Sequence, residues 1–226
     1  MRMIASFEKS AQIRFVGHLD LMRAIHRALR RSGLPIRYSQ GFNPHVLLSL
    51  ASPLPVGVSG IQELMDVPLA GVLSEAYFLK TLRAVMPSSL PLTAARAVGD
   101  NHPKLMANLR TASYEATFHK SGAAKAMAEA IPAFLSRAEV QAVRRSKRGS
   151  VPCDIRPMLH CLSANGMGDA VAMRFRVSLT EQETLKPDLL LSALAEQAGV
   201  LAPPSLLCRI ALYGEKEGRP VKLLEM

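Results

Sequence analysis

The sequence predicts an α+β protein made of tandem ferredoxin-like β-α-β-β-α-β sandwiches with antiparallel sheets. Three observations predict it. The chain has 226 residues, which suits one large domain or two small ones. Apolar alternation and helical periodicity follow one another in the order β-α-β-β-α-β. This order occurs once in each half of the chain, and it places both helices of a unit on one face of its sheet. The duplication rests on element order alone, because the halves share no residue-level repeat.

The elements of the first half have ordinary start and stop signals. Its strands are short apolar runs, predicted at 3–7, 36–38, 47–50, 63–67 and 92–97. A helix is predicted over 18–31, because Gly33 and Pro35 terminate it. Ser74 is the expected N-cap of a second helix, which ends before Pro87.

The second half repeats this order. Extended segments are predicted at 113–119, 140–144, 155–162, 170–179 and 207–213. Helices are predicted over 122–137 and 188–197. Pro187 suits the first turn of the second helix, and Gly199 caps its end.

The domain boundaries are predicted from changes in composition. Residues 99–111 mix Gly, Asp, Asn, Pro and Lys, which is typical of a linker. We therefore expect a first domain at 1–98, a second at 112–214 and a loose tail at 215–226.

The composition favours a cytoplasmic protein that binds a polyanion. The net charge is +10, so RNA or DNA is the first expected partner, and a charge that serves solubility is the alternative. The three cysteines, Cys153, Cys161 and Cys208, have no C-x-x-C spacing. The start lacks a secretory signal, and no apolar run reaches the roughly 20 residues of a membrane span. We expect no membrane contact, no cofactor and no metal.

The predicted helix 18–31 carries the main candidate site. At 100° per residue its apolar side chains fall on one side, and Arg23, Arg27 and Arg30 fall within an arc of roughly 60° on the other, with Arg31 beyond them. From Arg14 to Arg37 there are six arginines and a single acid, Asp20. The arginine fork matches phosphate oxygens, so these side chains, with Arg37, predict phosphate contacts. The alternative is a solvated helix face neutralised by carboxylates from elsewhere in the fold.

A second basic cluster occurs in RRSKRGSVPCDIR. It supplies the candidates Arg144, Arg145, Lys147 and Arg148. As a hairpin it would grip a nucleic-acid backbone, and the alternative is a mobile basic loop.

The segment Gly-Phe-Asn-Pro-His, here called the 41–45 loop, interrupts two apolar runs. Gly41 accepts a positive φ, Asn43 tolerates one, and Pro44 fixes its own φ, so the loop should hold one shape. Phe42 is either a core plug or a stacking platform for a base. His45 is a base contact, a general acid or a structural hydrogen bonder. Phe42, Asn43 and His45 are nucleic-acid-binding candidates.

Catalytic candidates are few. His18, Asp20 and His45 are the residues that a metal-independent ribonuclease could use beside an arginine-bound phosphate. The same three could in principle hold a metal, but nothing in their spacing supports it. No glycine-rich phosphate loop, H-E-x-x-H, G-x-S-x-G or dinucleotide fingerprint occurs.

A family resemblance adds to this interpretation. The run RFVGHLDLMRAIHRALRRSGLPIRYSQGFNPHVLLSLASPLPVGV, followed by ELMDVPL, resembles the uncharacterised bacterial family of radical-SAM-linked proteins. CDIRPML at 153–159 and RIALY near the end resemble weaker blocks of that family. One departure is Val46, where many relatives place proline. The resemblance implies a partner, a radical SAM protein acting in trans, and an accessory or substrate-recognition role. The chain itself lacks the C-x-x-x-C-x-x-C that holds a radical SAM cluster.

The leading hypothesis is therefore an RNA-binding accessory protein in RNA modification, acting on tRNA or rRNA with a radical SAM enzyme. The tandem architecture is similar to that of RNA-handling proteins of the CRISPR-processing and pseudouridine synthase kinds, although a fold does not determine a function. The alternatives are an RNA-modifying or metal-independent RNA-cleaving enzyme, and a protein-binding adaptor for a radical SAM partner.

Overall fold

The structure is a computed structural model that describes residues 1–119, 121–146 and 149–226. It is a mixed α+β protein whose strands pair mainly antiparallel, which confirms the predicted fold class at that level. The strands are β1 (Arg2–Lys9), β2 (Ser49–Leu50), β3 (Val58–Pro68), β4 (Leu92–Val98), β5 (Thr111–His119), β6 (Gln141–Ser146), β7 (Gly149–Asp154), β8 (Leu159–Met167), β9 (Ala170–Ser178), β10 (Leu206–Lys216) and β11 (Arg219–Lys222). The helices are α1 (His18–Arg31), α2 (Glu75–Arg83), α3 (Leu105–Asn108), α4 (Gly122–Leu135) and α5 (Pro187–Gln197).

The chain divides into two compact units. The first contains Met1–Leu109 and Arg209–Met226, and the second contains Arg110–Cys208. None of the helices in the described ranges is long and apolar enough to cross a membrane.

The first unit is a sheet with the strand order β4-β1-β3-β10. Strand β1 pairs antiparallel with both β3 and β4, the short β2 pairs antiparallel with β3, and β11 pairs antiparallel with β10. Alternate residues of β1 and β3 enter one apolar cluster with the inner faces of α1 and α2, so both helices cover the same side of the sheet.

Helix α1 has the predicted bounds. Its buried residues recur at helical spacing and are Leu21, Ile25, Ala28 and Leu29. After α1 the chain turns away at Gly33, whose φ of +69° is the left-handed conformation that a helix-terminating glycine supplies. The predicted N-cap of α2 is also confirmed, because the Ser74 side chain accepts a hydrogen bond from the backbone N–H of Tyr77.

The second unit has the strand order β5-β9-β8, with antiparallel pairing throughout, and a separate β6-β7 hairpin. The extended segment predicted at 155–162 is interrupted at its start. The Asp154 carboxylate accepts hydrogen bonds from the backbone N–H groups of Val140 and Arg156, and this turn ends the hairpin. Strand β8 begins only at Leu159.

The predicted linker and tail need correction. The expected linker, 99–111, contains α3 and buries Leu105 and Leu109 in the first unit. The expected loose tail, 215–226, continues β10, forms β11 and ends in a short 3₁₀ helix with Leu223 buried. Burial of these apolar side chains therefore orders two segments whose composition predicted a linker and a loose tail.

Candidate functional site

The outer side of α1 is charged, as the helical periodicity predicts. Arg23, Arg27, Arg30 and Arg31, here called the arginine face, are all exposed. The opposite side of α1 enters the apolar cluster, so the helix is fixed while these guanidinium groups remain in solvent. The arginine face therefore lies on a helix that is fixed to the core.

The arginine face is only partly neutralised. Arg23 pairs with Asp20 at 3.0 Å, with both side chains about two-thirds exposed. Arg31 donates to the backbone carbonyl of Val85 at 2.8 Å. In the parts of the chain that the structure describes, no carboxylate lies within ion-pair distance of Arg27 or Arg30. Asp20 therefore neutralises Arg23 alone, and Arg27 and Arg30 keep no carboxylate partner within the described residues.

Arg37 has a partner that the sequence did not indicate. Its guanidinium donates to both carboxylate oxygens of Asp100, at 3.2 and 3.0 Å, and the terminal amino group of Met1 also donates to Asp100. The hydrogen bond from Arg37, followed by that from the amino terminus, lowers the pKa of Asp100 below its ordinary value. Arg37 is therefore less available to an external phosphate than Arg27 and Arg30.

The 41–45 loop is closed at its base. The backbone N–H of Ser39 donates to the His45 carbonyl at 2.8 Å, and the N–H of His45 donates to the Ser39 hydroxyl at 3.0 Å. The same hydroxyl lies 2.8 Å from Nδ1 of His45, which fixes the imidazole. Gly41 has the positive φ, +125°, that the sequence predicts for it.

Phe42 stands at the tip of this loop and is fully exposed. The interpretation of Phe42 as a core plug is therefore wrong. Asn43, Pro44 and His45 are exposed as well, so the loop displays its side chains to solvent.

His26 connects the loop to the arginine face. It lies on α1 and is partly buried, and burial lowers its pKa below the ordinary value. The charges of Arg30 and then His45 lower this pKa further. Val46, which directly follows the 41–45 loop, is buried in the same apolar cluster as Leu21 and Ile25 of α1, so this end of the loop is anchored in the core that α1 covers.

The catalytic candidates do not assemble into a recognisable centre. Asp20 bonds to Arg23 rather than to a histidine, and Nδ1 of His45 is occupied by Ser39. Nδ1 of His18 is buried without a hydrogen-bond partner. Over residues 1–119, 121–146 and 149–226, no three His, Cys, Asp or Glu side chains gather in a way that could hold a metal ion.

Two buried ion pairs in the first unit were not predicted from the sequence. Arg209 on β10 donates to both oxygens of Glu63 on β3, at 2.8 and 2.5 Å, and to the carbonyl of Ser52 at 2.9 Å. Arg2 on β1 bonds to Asp66 on β3, with Nε 3.0 Å from one carboxylate oxygen. Asp66 therefore pairs with a strand residue and not with an arginine of α1. Acids inside the apolar run ELMDVPL were the available signal, since buried carboxylates need partners.

Lys9 completes the buried polar group. Its ammonium donates to the backbone carbonyl of Arg14 at 2.9 Å, and the residue is 1% exposed. Burial lowers the pKa of Lys9 below its ordinary value, Glu63 opposes this shift, and Arg209 adds to it. Through Arg14, Lys9 holds the segment that leads into α1.

The second basic cluster lies in the second unit and is only partly described. Lys147 and Arg148 fall outside the described residues, and the side chain of Arg145 does also. Arg144 is half-buried, donates to the carbonyl of Thr184 at 3.1 Å and lines a groove of about 600 Å³ between β6 and α5. The groove is also lined by Lys186, Asp188 and Glu196, so its charge is mixed.

The fold and the site together define a small basic α+β protein with a charged helix face beside an exposed aromatic loop. The family model described as "Uncharacterized protein conserved in bacteria (DUF2344)" matches residues 2–187, and the chain belongs to this family.

Other comparisons bear on the fold alone. No curated protein matches the chain. A chain in the crystal structure of a Cbf5-Nop10-Gar1 complex is similar over 95% of this protein and 50% of its own length, with a TM-score of 0.51 and 14% sequence identity. The present chain thus spans about half the length of that chain.

Proposed function

We propose that this protein is an RNA-binding accessory protein that presents a structured RNA, tRNA or rRNA, to a radical SAM enzyme for modification. One observation carries the RNA part of the proposal. Arg27 and Arg30 are exposed on a rigid helix and have no carboxylate partner in the described ranges, and the exposed Phe42 loop is anchored through Val46 in the core that this helix covers. The radical SAM partner rests on the resemblance of residues 14–69 to the radical-SAM-linked family.

The electrostatics of α1 support an external anion. Like charges at neighbouring positions of a helix repel one another by a few tenths of a kcal/mol per pair, so the arginine face costs the isolated helix stability. A planar guanidinium that is not bonded within the protein can bind a phosphate oxygen in bidentate fashion. A phosphate backbone passing along α1 would supply the negative counter-charge that Arg27 and Arg30 do not receive from a carboxylate in the described residues.

We infer further that each unit is a ferredoxin-like sandwich. In the first unit the antiparallel neighbours β4-β1-β3-β2, with α1 and α2 on one face, support this topology. In the second unit the antiparallel order β5-β9-β8 supports it, as does the chain order β5-α4-β8-β9-α5 with the β6-β7 hairpin inserted after α4. We expect a cytoplasmic location, where tRNA and rRNA occur.

The experiment is ultraviolet cross-linking of the full chain in bacterial cells, followed by sequencing of the attached RNA and mapping of the cross-linked peptides. We expect tRNA or rRNA attached to peptides within residues 14–45. No attached RNA, or cross-links confined to the second unit, would contradict the RNA-binding proposal.

The partner is tested in the same preparation. A radical SAM protein should co-purify, and nuclease treatment should release it if RNA bridges the two. Co-purification that survives nuclease without any RNA cross-link would instead favour the protein-binding adaptor. Absence of any radical SAM protein would contradict the partnership and leave RNA binding standing.

A second candidate function is an RNA-modifying or metal-independent RNA-cleaving enzyme. The observation that favours it is the fixed imidazole of His45: Ser39 holds Nδ1, and the exposed ring leaves Nε2 to act on a bound RNA. Pure protein incubated with bacterial RNA should then give new products, and His45→Ala should abolish them. No product under these conditions would dismiss this candidate.

A further inference from the structure

The phenylalanines of this chain divide into two groups. The chain contains seven. Five are at most 1% exposed and fill the cores: Phe7, Phe78, Phe118, Phe134 and Phe175. Phe15 is 67% exposed and Phe42 is fully exposed. A phenylalanine left in water forgoes the free energy of burial, so both side chains are placed where the fold gains little from them.

Both exposed rings border α1. Phe15 lies two residues before Gly17, the N-cap of the helix. Phe42 stands on the 41–45 loop, whose following residue, Val46, is buried in one apolar cluster with Leu21 and Ile25 of the same helix. The exposed aromatic residues therefore stand at two places along the element that carries Arg27 and Arg30.

The Phe15 corner is held by buried groups. The Arg14 carbonyl accepts hydrogen bonds from the Lys9 ammonium and from the backbone N–H of Gly57, both at 2.9 Å. The Arg14 guanidinium lies over the Phe15 ring, 4.6 Å from its centroid. The Phe15 ring therefore has a cation on one face and lies on a segment that these hydrogen bonds hold in place. Such a ring is suited to stacking against a flat, electron-rich partner.

We propose that Phe15 and Phe42 each stack on an unpaired base of the bound RNA, so that the site takes a single-stranded segment rather than a duplex. This inference rests on the proposed function and specifies its substrate class. Bases within a helix have both faces covered by their neighbours, whereas unpaired bases can be splayed onto aromatic side chains. Aromatic platforms beside a cationic track are the usual arrangement of single-strand binding surfaces.

Charge favours RNA over a protein as the occupant. Exposed Phe15, Leu19 and Phe42 would also suit an apolar protein surface. The segment from Arg14 to Arg37, however, carries six arginines and only Asp20 as an acid. A partner must offset that charge while it covers the rings, and a nucleotide supplies a phosphate and a base together.

The test compares two RNAs that carry the same number of phosphates. One is an unpaired oligonucleotide of about 12 nucleotides, and the other is a self-complementary duplex whose phosphates are counted over both strands. Binding to the full chain is measured by fluorescence anisotropy at one salt concentration. Phe15→Leu and Phe42→Leu keep apolar side chains but remove the ring, and Leu19→Ala is the control, because Leu19 is 69% exposed on α1 and has no ring. Urea midpoints verify that every variant folds.

We expect wild-type protein to prefer the unpaired RNA, and each phenylalanine variant to weaken that binding about 5- to 150-fold, with duplex binding nearly unchanged. Leu19→Ala should change neither. If unpaired RNA binds equally well to wild type and to both variants, stacking is refuted while RNA binding stands, and the rings belong to a protein interface. If neither RNA binds, the proposed function fails and this inference fails with it.

Discussion

Two sets of arginines in the first unit differ in their surroundings. Arg2 and Arg209 are at most 2% exposed, and each bonds to a carboxylate of β3 and to backbone carbonyls. Arg27 and Arg30 are exposed on α1, with no carboxylate partner in the described residues. The buried pair serves the fold, because an unpaired charge in the interior would be costly. The exposed pair contributes little to the fold and is accessible to the phosphate proposed above.

Buried charged residues also hold the start of the helix that carries the arginine face. Arg209 bonds to Ser52 and Glu63, and Lys9, beside that pair, holds Arg14 at the approach to α1. Buried charge thus fixes the start of the helix that carries exposed charge. Changes to the first set should act on stability, and changes to the second on RNA binding.

The largest expected effect is on the buried set. Glu63→Gln leaves Arg209 uncompensated in the interior and should lower the free energy of unfolding by about 3–5 kcal/mol, measured by urea denaturation. Replacing both residues by apolar ones, Glu63→Leu with Arg209→Met, should recover much of that loss, because the uncompensated guanidinium is gone and Lys9 keeps its hydrogen bond to the Arg14 carbonyl. A loss below about 1 kcal/mol for the single variant would show that this pair does not anchor the first unit.

An intermediate effect is expected at His26. Its lowered pKa means that the unfolded chain binds a proton more readily than the folded chain. Stability from neutral His26 is therefore fully present above pH of about 6.5 and is lost as pH falls through that value towards the lower pKa of the folded state. In an NMR titration, Arg30→Gln should raise the pKa of His26, because it removes a neighbouring positive charge.

Arg23→Gln is the matched control for this titration. The charge of Arg23 is paired with Asp20, and Arg23 is not among the groups that shift His26. An unchanged His26 pKa in Arg30→Gln would contradict the view that the charge of Arg30 is unneutralised.

The smallest effect is expected at the exposed pair of Asp20 and Arg23. Asp20→Asn should change the free energy of unfolding by less than about 0.5 kcal/mol, as is usual for exposed ion pairs. The same change frees Arg23 and removes the single acid of the region, so RNA affinity at low salt should rise several-fold. Weaker RNA binding by Asp20→Asn would instead mean that the carboxylate itself contacts the ligand.

Local signals in the sequence predicted local features well. The periodicity of α1, the glycine after it and the serine cap of α2 each depend on residues within a few positions, and the structure has them where expected. The exposure of Arg27 and Arg30 follows from the same periodicity.

Features that depend on distant partners were missed. Asp100 neutralises Arg37 from 63 positions away, and Glu63 meets Arg209 across 146 positions. The 41–45 loop was predicted to be rigid, but the sequence left open whether Phe42 points into the core or away from it. The structure turns Phe42 into solvent, and no local pattern of the sequence records that orientation.

The most direct test of the account is the salt dependence of tRNA binding. Wild-type protein, Arg27→Gln/Arg30→Gln, and the charge-matched control Arg219→Gln/Lys222→Gln, with both residues exposed on β11, are titrated over a range of salt concentrations. We predict that the α1 double variant flattens the slope of log affinity against log salt by about 1 per arginine, while the control keeps the wild-type slope. Equal slopes for all three proteins, or binding that does not respond to salt, would contradict the claim that Arg27 and Arg30 bind phosphate.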